Sequence, residues 1–202
     1  MRHYQHLTVL GDSITDQRNH YAHQWYYQWL ADWLAIPKTT NLGISGSTIA
    51  QPYDPMVNRW QQIPTETDLL LIYAGINDFG RDVPLGQLGD QTTVTFYGAL
   101  QQMLGQISKH YPQATIYFIS HVKIGTDFFP AINQSGYRQA DYEKAIVQVT
   151  ELLGITHISL FNQKALSFAD AQQAEALSLD SLHPNDAGHE KIARFLINKI
   201  NH

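Results

Sequence analysis

The chain has 202 residues, a length that suits one domain with a substantial core. Its formal charge of −5 is spread thinly, and no cluster of lysine or arginine is present that could neutralise a nucleic-acid backbone. No stretch approaches the roughly 18 consecutive apolar residues of a membrane span, and the absence of cysteine excludes disulfides, thiolate zinc sites and cysteine nucleophiles. We therefore expect a single domain over residues 1–202, with no nucleic-acid partner and no membrane insertion.

The first residues give an expectation about location. The segment from Met1 to His6 lacks the apolar core of a secretion signal. A chain that starts in this way is expected to be cytoplasmic. The composition gives no expectation about the oligomeric state.

Short apolar runs that end in glycine or in polar loops recur along the chain and predict strands. They cover Leu7 to Leu10, Thr39 to Leu42, Asp68 to Ala74, Thr115 to Ser120 and Thr156 to Phe161, the second being the weakest. Apolar residues at helical spacing fill the gaps at residues 26–34, 96–107 and 145–152, and in a last helix capped by Asn185 or Asp186. This alternation predicts an α/β fold: a three-layer α/β/α sandwich around a five-stranded parallel sheet in the flavodoxin-like order.

Two connections are longer than a minimal loop between a strand and a helix. They run from Ser47 to Thr67 and from Phe79 to Thr95. Long loops at the carboxyl ends of parallel strands usually shape a substrate site, although such loops also serve as surface packing.

A serine stands where the first predicted strand ends, in the run Gly11-Asp12-Ser13. Its hydroxyl can reach the crevice beyond the strand ends while nearby backbone amides point the same way, which is the position of a nucleophile. The structural alternative is a serine that caps a helix, and on this tripeptide alone the cap is favoured. Asp12 can brace the same turn through backbone amides.

A carboxylate and an imidazole stand three residues apart in the run from Asp180 to Pro184. A carboxylate that holds one imidazole nitrogen leaves the other free to take a proton from a serine, so Asp180 and His183 are candidates for the other two members of a triad. The alternatives are a turn ahead of the last helix and a metal site that includes His189. The metal site is disfavoured because these residues lack a tight ligand spacing.

Gly43 and Asn77 follow the second and third predicted strands and are candidates for an oxyanion hole. A glycine offers a backbone N–H with no side chain in the way, and an asparagine offers its amide. Taken singly, each is more typical of a turn or a cap. Ser45 and Ser47 compete with Ser13 as nucleophiles, but neither lies in a Gly-x-Ser-x-Gly elbow.

These four blocks, in this order, resemble those of the SGNH hydrolases, also called GDSL esterases or lipases. The blocks are Gly11-Asp12-Ser13, Asn41 to Gly46, Gly75-Ile76-Asn77-Asp78 and Asp180 to Pro184. The one departure is Ile14, where the family name has leucine. The resemblance spans nearly the whole chain.

The resemblance implies a role for each block. Ser13 would be the nucleophile, His183 the general base and then acid, and Asp180 the residue that orients His183. The oxyanion hole would consist of the Ser13 N–H, the Gly43 N–H and the Asn77 side chain. Acyl transfer through an acyl-enzyme on the serine would follow, and it needs no cofactor and no metal.

Four more residues are candidates for substrate contact. Asp12 and Asp78 stand beside the predicted nucleophile and the predicted oxyanion donor, Phe79 opens the second long loop, and His121 follows the fourth predicted strand.

The loops after Gly46 and Asp78 are rich in polar residues and offer no extended apolar surface for a long acyl chain. They therefore favour a small-molecule or saccharide ester, with a short acyl group on a carbohydrate or another polar alcohol. Lysophospholipid or thioester hydrolysis by the same family is the second hypothesis, and a non-catalytic α/β binding module is the third. A nucleotide-binding protein is disfavoured because neither Gly-x-Gly-x-x-Gly nor a phosphate-loop lysine motif is present.

Overall fold

A parallel five-stranded sheet forms the centre of the molecule in the computed structural model, which describes residues 3–200. The strand order is β2-β1-β3-β4-β5, and every neighbouring pair is parallel. This confirms the predicted flavodoxin-like order. The strands are β1 His6–Gly11, β2 Lys38–Gly43, β3 Leu69–Tyr73, β4 Thr115–Ser120 and β5 Thr156–Ser159.

Helices cover both faces of the sheet, which completes the predicted α/β/α sandwich. Helices α1 and α6 pack together, as do α3 and α4. Short 3₁₀ turns lie at residues 17–19, 56–58, 60–62 and 164–166. The α-helices are α1 Tyr26–Trp33, α2 Ile76–Gly80, α3 Phe96–His110, α4 Gln139–Leu153, α5 Ala171–Leu177 and α6 Asp186–Ile200.

The burial of each strand explains how strongly its apolar sequence pattern predicted it. Every residue of β1 and β3 is buried, because both strands are covered by helices on two faces. β2 is an edge strand, and only Gly43 of it is buried, so its apolar pattern is weak. The start of α6 is also as predicted, since the Asn185 side chain accepts the Gly188 N–H at 3.0 Å.

The strand order places a crevice between the ends of β1 and β3. After β1 the chain runs to β2 on one side, and it then crosses to β3 on the other side of β1. Ligands of open α/β sheets bind at such a switch point, beyond the carboxyl ends of the strands. The loops that carry the serine and asparagine blocks leave the sheet there, from Gly11 and Tyr73, which are neighbours across β1 and β3.

A buried arginine holds the loops around this crevice together. The Arg59 guanidinium donates hydrogen bonds to the carbonyl oxygens of Gly11 and Leu42 and to the Ser47 hydroxyl. The end of β1, the end of β2 and the loop that follows β2 are thereby fixed to one planar cation.

Within residues 3–200, no helix is both long enough and apolar enough to cross a membrane.

Candidate active site

Ser13 lies in a tight turn directly after β1. The Asp12 carbonyl accepts the N–H groups of Thr15 and Asp16 at 3.1 and 2.9 Å, and the Asn19 amide donates to the Ser13 carbonyl at 2.7 Å. No α-helix begins at this turn, so the alternative of a helix-capping serine does not apply. The Ser13 hydroxyl instead contacts an imidazole.

His183 joins the serine to a carboxylate. Its Nε2 lies 3.0 Å from the Ser13 Oγ, and its Nδ1 lies 2.7 Å from the Asp180 Oδ2. The other Asp180 oxygen, Oδ1, accepts the backbone N–H groups of His183 and Leu182 at 2.8 and 3.1 Å. The structure therefore brings the three predicted triad residues together, although serine and histidine are 170 positions apart.

The charge of Asp180 fixes the tautomer of this histidine. Burial opposes the charge of Asp180, but hydrogen bonds from the backbone and the ring of His183 lower the pKa of this carboxyl below its ordinary value. An ionised carboxylate accepts a proton in a hydrogen bond, so Nδ1 is the protonated nitrogen. Nε2 is left as an acceptor that faces the Ser13 hydroxyl, as a general base requires.

Asn77 enters the crevice from the first turn of α2. Its Nδ2 donates to the Ser47 carbonyl at 3.1 Å. An amide nitrogen carries two hydrogens, so this bond orients the side chain and leaves a second donor. The amide is thus held in place before a substrate arrives.

The competing serines do not contact a histidine. The Ser45 hydroxyl donates to the Asp16 carboxylate at 2.9 Å. The Ser47 hydroxyl donates to the Asp54 carbonyl at 2.6 Å and accepts from Arg59 at 2.9 Å. Ser47 has no basic acceptor, and the Asp16 carboxylate beside Ser45 is a weak base because its pKa is about 2, which leaves Ser13 as the candidate nucleophile.

The structure corrects the expectation for Gly43. Its N–H already donates to the Asn41 Oδ1 at 2.7 Å, so it does not offer a free hydrogen to the crevice. A side chain at this position would also collide with the backbone, since a Cβ would lie 2.6 Å from the Asp16 nitrogen. Gly43 therefore serves the close packing of the β2 end against the serine loop.

Gly46 has the free N–H that Gly43 lacks. Across residues 3–200, the N–H groups of Gly46 and Ser13 donate to no protein acceptor. Gly46 has a φ of +77°, a left-handed conformation that favours glycine, and the next carbonyl along the chain, that of Ser47, holds Asn77. Sequence reasoning missed this residue, although it lies in the same block.

The sequence model of the GDSL-like Lipase/Acylhydrolase family matches residues 9–191. The chain belongs to this family. It thereby also belongs to the SGNH hydrolases, as the four blocks indicated, and the family membership makes it a hydrolase that acts on esters.

Solved structures of similar proteins cover nearly the entire chain. A protein from Lactobacillus plantarum is 43% identical over 100% of this chain and 98% of its own, with a TM-score of 0.95. A possible lipase from Chitinophaga pinensis is 19% identical over 97% of each chain, with a TM-score of 0.77. An acetylxylan esterase from Geobacillus stearothermophilus is 22% identical over 100% of this chain and 97% of its own, with a TM-score of 0.68. No curated protein matches the chain.

Asp16 is a residue of this hydrolase that the sequence analysis did not single out. Its carboxylate accepts hydrogen bonds from the Arg18 side chain and from the backbone and hydroxyl of Ser45. Burial works against its charge, but these bonds hold the pKa of Asp16 at about 2. The carboxylate therefore ties the loop after β2 to the serine loop.

Asp12 and Asp78 are fully buried, whereas the sequence analysis predicted that they contact the substrate. Asp12 accepts the Ile14 N–H at 3.0 Å, and Asp78 accepts the N–H groups of Ile49 and Ala50. Neither side chain is accessible to a ligand in this structure, and both hold loops of the site in place through their hydrogen bonds. Burial raises the pKa of each to about 7.

Phe79 and His121, the other two residues predicted to contact substrate, are also buried. Phe79 packs edge-on against Phe129, and the His121 Nδ1 lies 3.0 Å from the Val122 carbonyl. Burial lowers the pKa of His121 to about 4, so its ring is neutral at neutral pH. Substrate contact by these two residues stays a prediction.

Two aromatic rings flank the His183 imidazole. The ring centroids of Tyr21 and Phe128 lie 4.7 and 5.4 Å from that of His183. Both side chains remain about two-fifths exposed, at 40% and 42%. They belong to segments outside the two long loops that were expected to shape the site.

No group of three or more His, Cys, Asp or Glu side chains is arranged to hold a metal ion in the part of the chain that the structure describes. His189, which the alternative metal site would have used, lies against the Tyr26 backbone N–H at 3.3 Å through its Nδ1.

We predict that Asp12 and Asp78 stabilise the protein less as the pH rises from about 4 to 7, while the buried His121 and His189, whose pKa values are lowered to about 4 and about 3, contribute in the opposite direction. The pKa of Asp12 is about 7 in the folded protein and 3.8 ordinarily, so between these values the folded chain binds a proton that the unfolded chain has lost. The free energy of unfolding should fall by up to about 1.4 kcal/mol per pH unit for this group, and Asp78 acts in the same direction.

Asp12→Asn should remove the Asp12 contribution, so that from pH 4 to 7 the free energy of unfolding of the variant falls less, or rises more, than that of the unaltered protein. The substitution removes the titrating group while its Oδ1 still accepts the Ile14 N–H. Urea unfolding between pH 4 and 8 measures the slope, and Asp32→Asn, at an exposed aspartate, is the control. An unchanged slope in Asp12→Asn would show that Asp12 is already ionised in the folded protein.

Proposed function

We propose that the protein is a serine esterase that releases a short acyl group from a carbohydrate or another polar alcohol. The observation that carries this proposal is the 3.0 Å contact between the Ser13 Oγ and the unprotonated nitrogen of His183. An imidazole in this position makes a hydroxyl nucleophilic. Residues 1–202 are proposed to act as one catalytic domain, and the cytoplasmic location stays a prediction.

The proposed reaction has two steps. In the first, Ser13 attacks the ester carbonyl as its proton passes to the His183 Nε2, and the same nitrogen then protonates the departing alcohol. In the second, water attacks the acyl carbonyl as its proton passes to the His183 Nε2, and that proton then returns to the Ser13 Oγ as its bond to the acyl group breaks. Asp180 stabilises the imidazolium that forms in each step, because its carboxylate accepts the Nδ1 hydrogen throughout.

The oxyanion of each tetrahedral intermediate needs hydrogen-bond donors that point at its position before the charge develops. We assign this role to the N–H groups of Ser13 and Gly46 and to the Asn77 amide, with Gly46 in the place first expected for Gly43. The free N–H groups and the second Asn77 hydrogen support the assignment. Fixed donors stabilise developing charge without the cost of reorienting solvent.

The surroundings of His183 support a ring-shaped polar alcohol. The departing oxygen takes its proton from the His183 Nε2, so the alcohol lies beside the imidazole and against Tyr21 and Phe128. Half-exposed aromatic rings suit the C–H faces of a sugar, whose hydroxyls remain in water. The acetylxylan esterase among the structural neighbours suggests acetylated xylo-oligosaccharides as the first substrates to try.

Covalent labelling tests the nucleophile. We expect a sulfonyl fluoride or an organophosphate to modify Ser13, as shown by mass spectrometry of the labelled peptide, and to abolish ester hydrolysis. His183→Ala should suppress the labelling, because the hydroxyl then lacks its base. Modification of Ser45 or Ser47, or hydrolysis by a sample that resists labelling, would refute the mechanism.

Asn77→Ala tests the oxyanion hole. We expect kcat to fall by roughly 10² to 10³ with little change in KM, because the amide acts once charge has developed on the carbonyl oxygen. Asn133→Ala is the matched control, since Asn133 is a buried asparagine whose amide donates to Phe79 and Tyr142, outside the proposed reaction. It should lower the melting temperature and leave kcat of the folded enzyme near normal. Equal effects of the two substitutions on kcat would remove Asn77 from the mechanism.

Tyr21→Ala and Phe128→Ala test the proposed alcohol. Each should lower kcat/KM for acetylated xylo-oligosaccharides by about threefold to tenfold through loss of stacking, and should change ethyl acetate hydrolysis less. Tyr53→Ala, at an exposed tyrosine that contacts Arg81, is the control. Equal losses on both esters would mean that the rings orient His183 and do not bind the alcohol.

A further inference from the structure

A cavity of about 420 Å³ opens at the same edge of the sheet as Ser13. This volume falls in the range of small-molecule sites. Its walls include Phe79 after β3, Lys123 after β4, Phe161 after β5 and Arg138 ahead of α4. None of the catalytic residues proposed above lines it.

The cavity carries positive charge and no negative charge. Lys123 and Arg138 line it, and no aspartate or glutamate does. The Lys123 ammonium lies 5.9 Å from the centroid of the Phe161 ring, so it faces the cavity wall. Neither cationic head group has a hydrogen bond or an ion pair within residues 3–200. Two exposed cationic residues without a hydrogen-bonded or ion-paired head group thus line one concave surface.

The backbone of the cavity is held in place by the protein itself. The Gln139 side chain accepts the Ile124 N–H at 3.1 Å and donates to the Val122 carbonyl at 2.8 Å. The Ala169 N–H donates to the Lys123 carbonyl at 3.1 Å. These bonds fix the segment after β4 on two sides, so the cavity is formed without a ligand.

The uncharged part of the wall is largely apolar. Phe79, Pro130 and Phe161 contribute rings, and Ile124 an aliphatic side chain. A small inorganic anion would leave this surface in water, whereas an organic anion would cover it and reach the two cations together.

We propose that this cavity binds an organic anion, namely a carboxylate carried on an aromatic or short apolar body. The inference does not depend on the esterase activity. The segment from Thr126 to Pro130 lines the cavity at both of its ends and places Phe128 against His183. A ligand in the cavity therefore lies next to the alcohol side of the proposed active site.

A charge-matched pair of probes tests the site. Isothermal titration calorimetry with 2-naphthoate and with 2-naphthamide compares two ligands of the same shape that differ in charge. We expect the naphthoate to bind at least about tenfold more tightly, and added salt to weaken it. Equal affinity for the two probes would overturn the proposal.

Variants locate the binding. Lys123→Gln with Arg138→Gln should weaken naphthoate binding at least about tenfold, and Ala140→Trp, which fills the cavity from its wall, should do the same. Lys109→Gln with Arg194→Gln makes the same change in net charge at exposed positions outside the cavity and should have no effect. Binding that survives Lys123→Gln with Arg138→Gln and is lost in Asn77→Ala would assign the naphthoate to the catalytic crevice and refute the site.

Kinetics distinguish two sources of the carboxylate. If it belongs to the ester substrate, naphthoate competes with an ester that carries a remote carboxylate, and the Lys123→Gln, Arg138→Gln variant raises KM for that ester and not for ethyl acetate. If it is a separate ligand, naphthoate changes the rate on ethyl acetate without competing, and the same variant abolishes that effect. Both results retain the site. The proposal of an anion site is wrong if naphthoate binds equally well to the Lys123→Gln, Arg138→Gln variant and to the unaltered protein, even if the esterase is active. Failure of Ser13 labelling would refute the esterase mechanism and would not affect the anion site.

Discussion

The hydrogen bonds of Arg59 hold the ends of β1 and β2 and the loop that contains Ser47 in one arrangement. Each acceptor belongs to a segment that also carries a group of the proposed site, so the arginine fixes their relative positions. Burial lowers the pKa of Arg59 to about 10, which still leaves it charged at neutral pH. The nearby Asp12 favours that charge.

Three aspartates of the site have different roles because their surroundings differ. Asp180 has a side chain that is 39% exposed and accepts three hydrogen bonds, so it remains ionised beside His183. Asp12 and Asp78 are sealed from water, and their pKa values rise to about 7 because a buried charge is costly. A carboxylate that stabilises an imidazolium must keep its charge, whereas one that receives backbone N–H groups can do so in either form.

The sequence allowed the fold to be predicted because it depends on local patterns, and the triad because four short blocks in order resemble those of a known family. Buried strands such as β1 have continuous apolar runs, and the turn that joins Asp180 to His183 spans only four residues. The short helices α2 and α5 were not predicted, since five and seven residues carry too little periodicity. The choice between Gly43 and Gly46 could not be made either, because it depends on which N–H the Asn41 side chain occupies in three dimensions.

The walls of the site were predicted least well for a related reason. The length of the loops at residues 47–67 and 79–95 predicted that they form the walls of the site, yet Tyr21 and Phe128 contact His183 from other segments. Tyr21 lies in a segment that is pinned at His23 by two hydrogen bonds to Asp186, 163 residues away. Contacts of this kind leave no periodic pattern in a sequence.

The separation of 170 positions between Ser13 and His183 also determines when the proposed site forms during synthesis. During synthesis the serine turn and its strand emerge before the segment that carries the imidazole. Every incomplete chain that stops short of residue 183 has the hydroxyl but not its base. The unfinished chain therefore lacks the proposed pair of hydroxyl and base, which forms only when the segment around His183 docks against the serine turn.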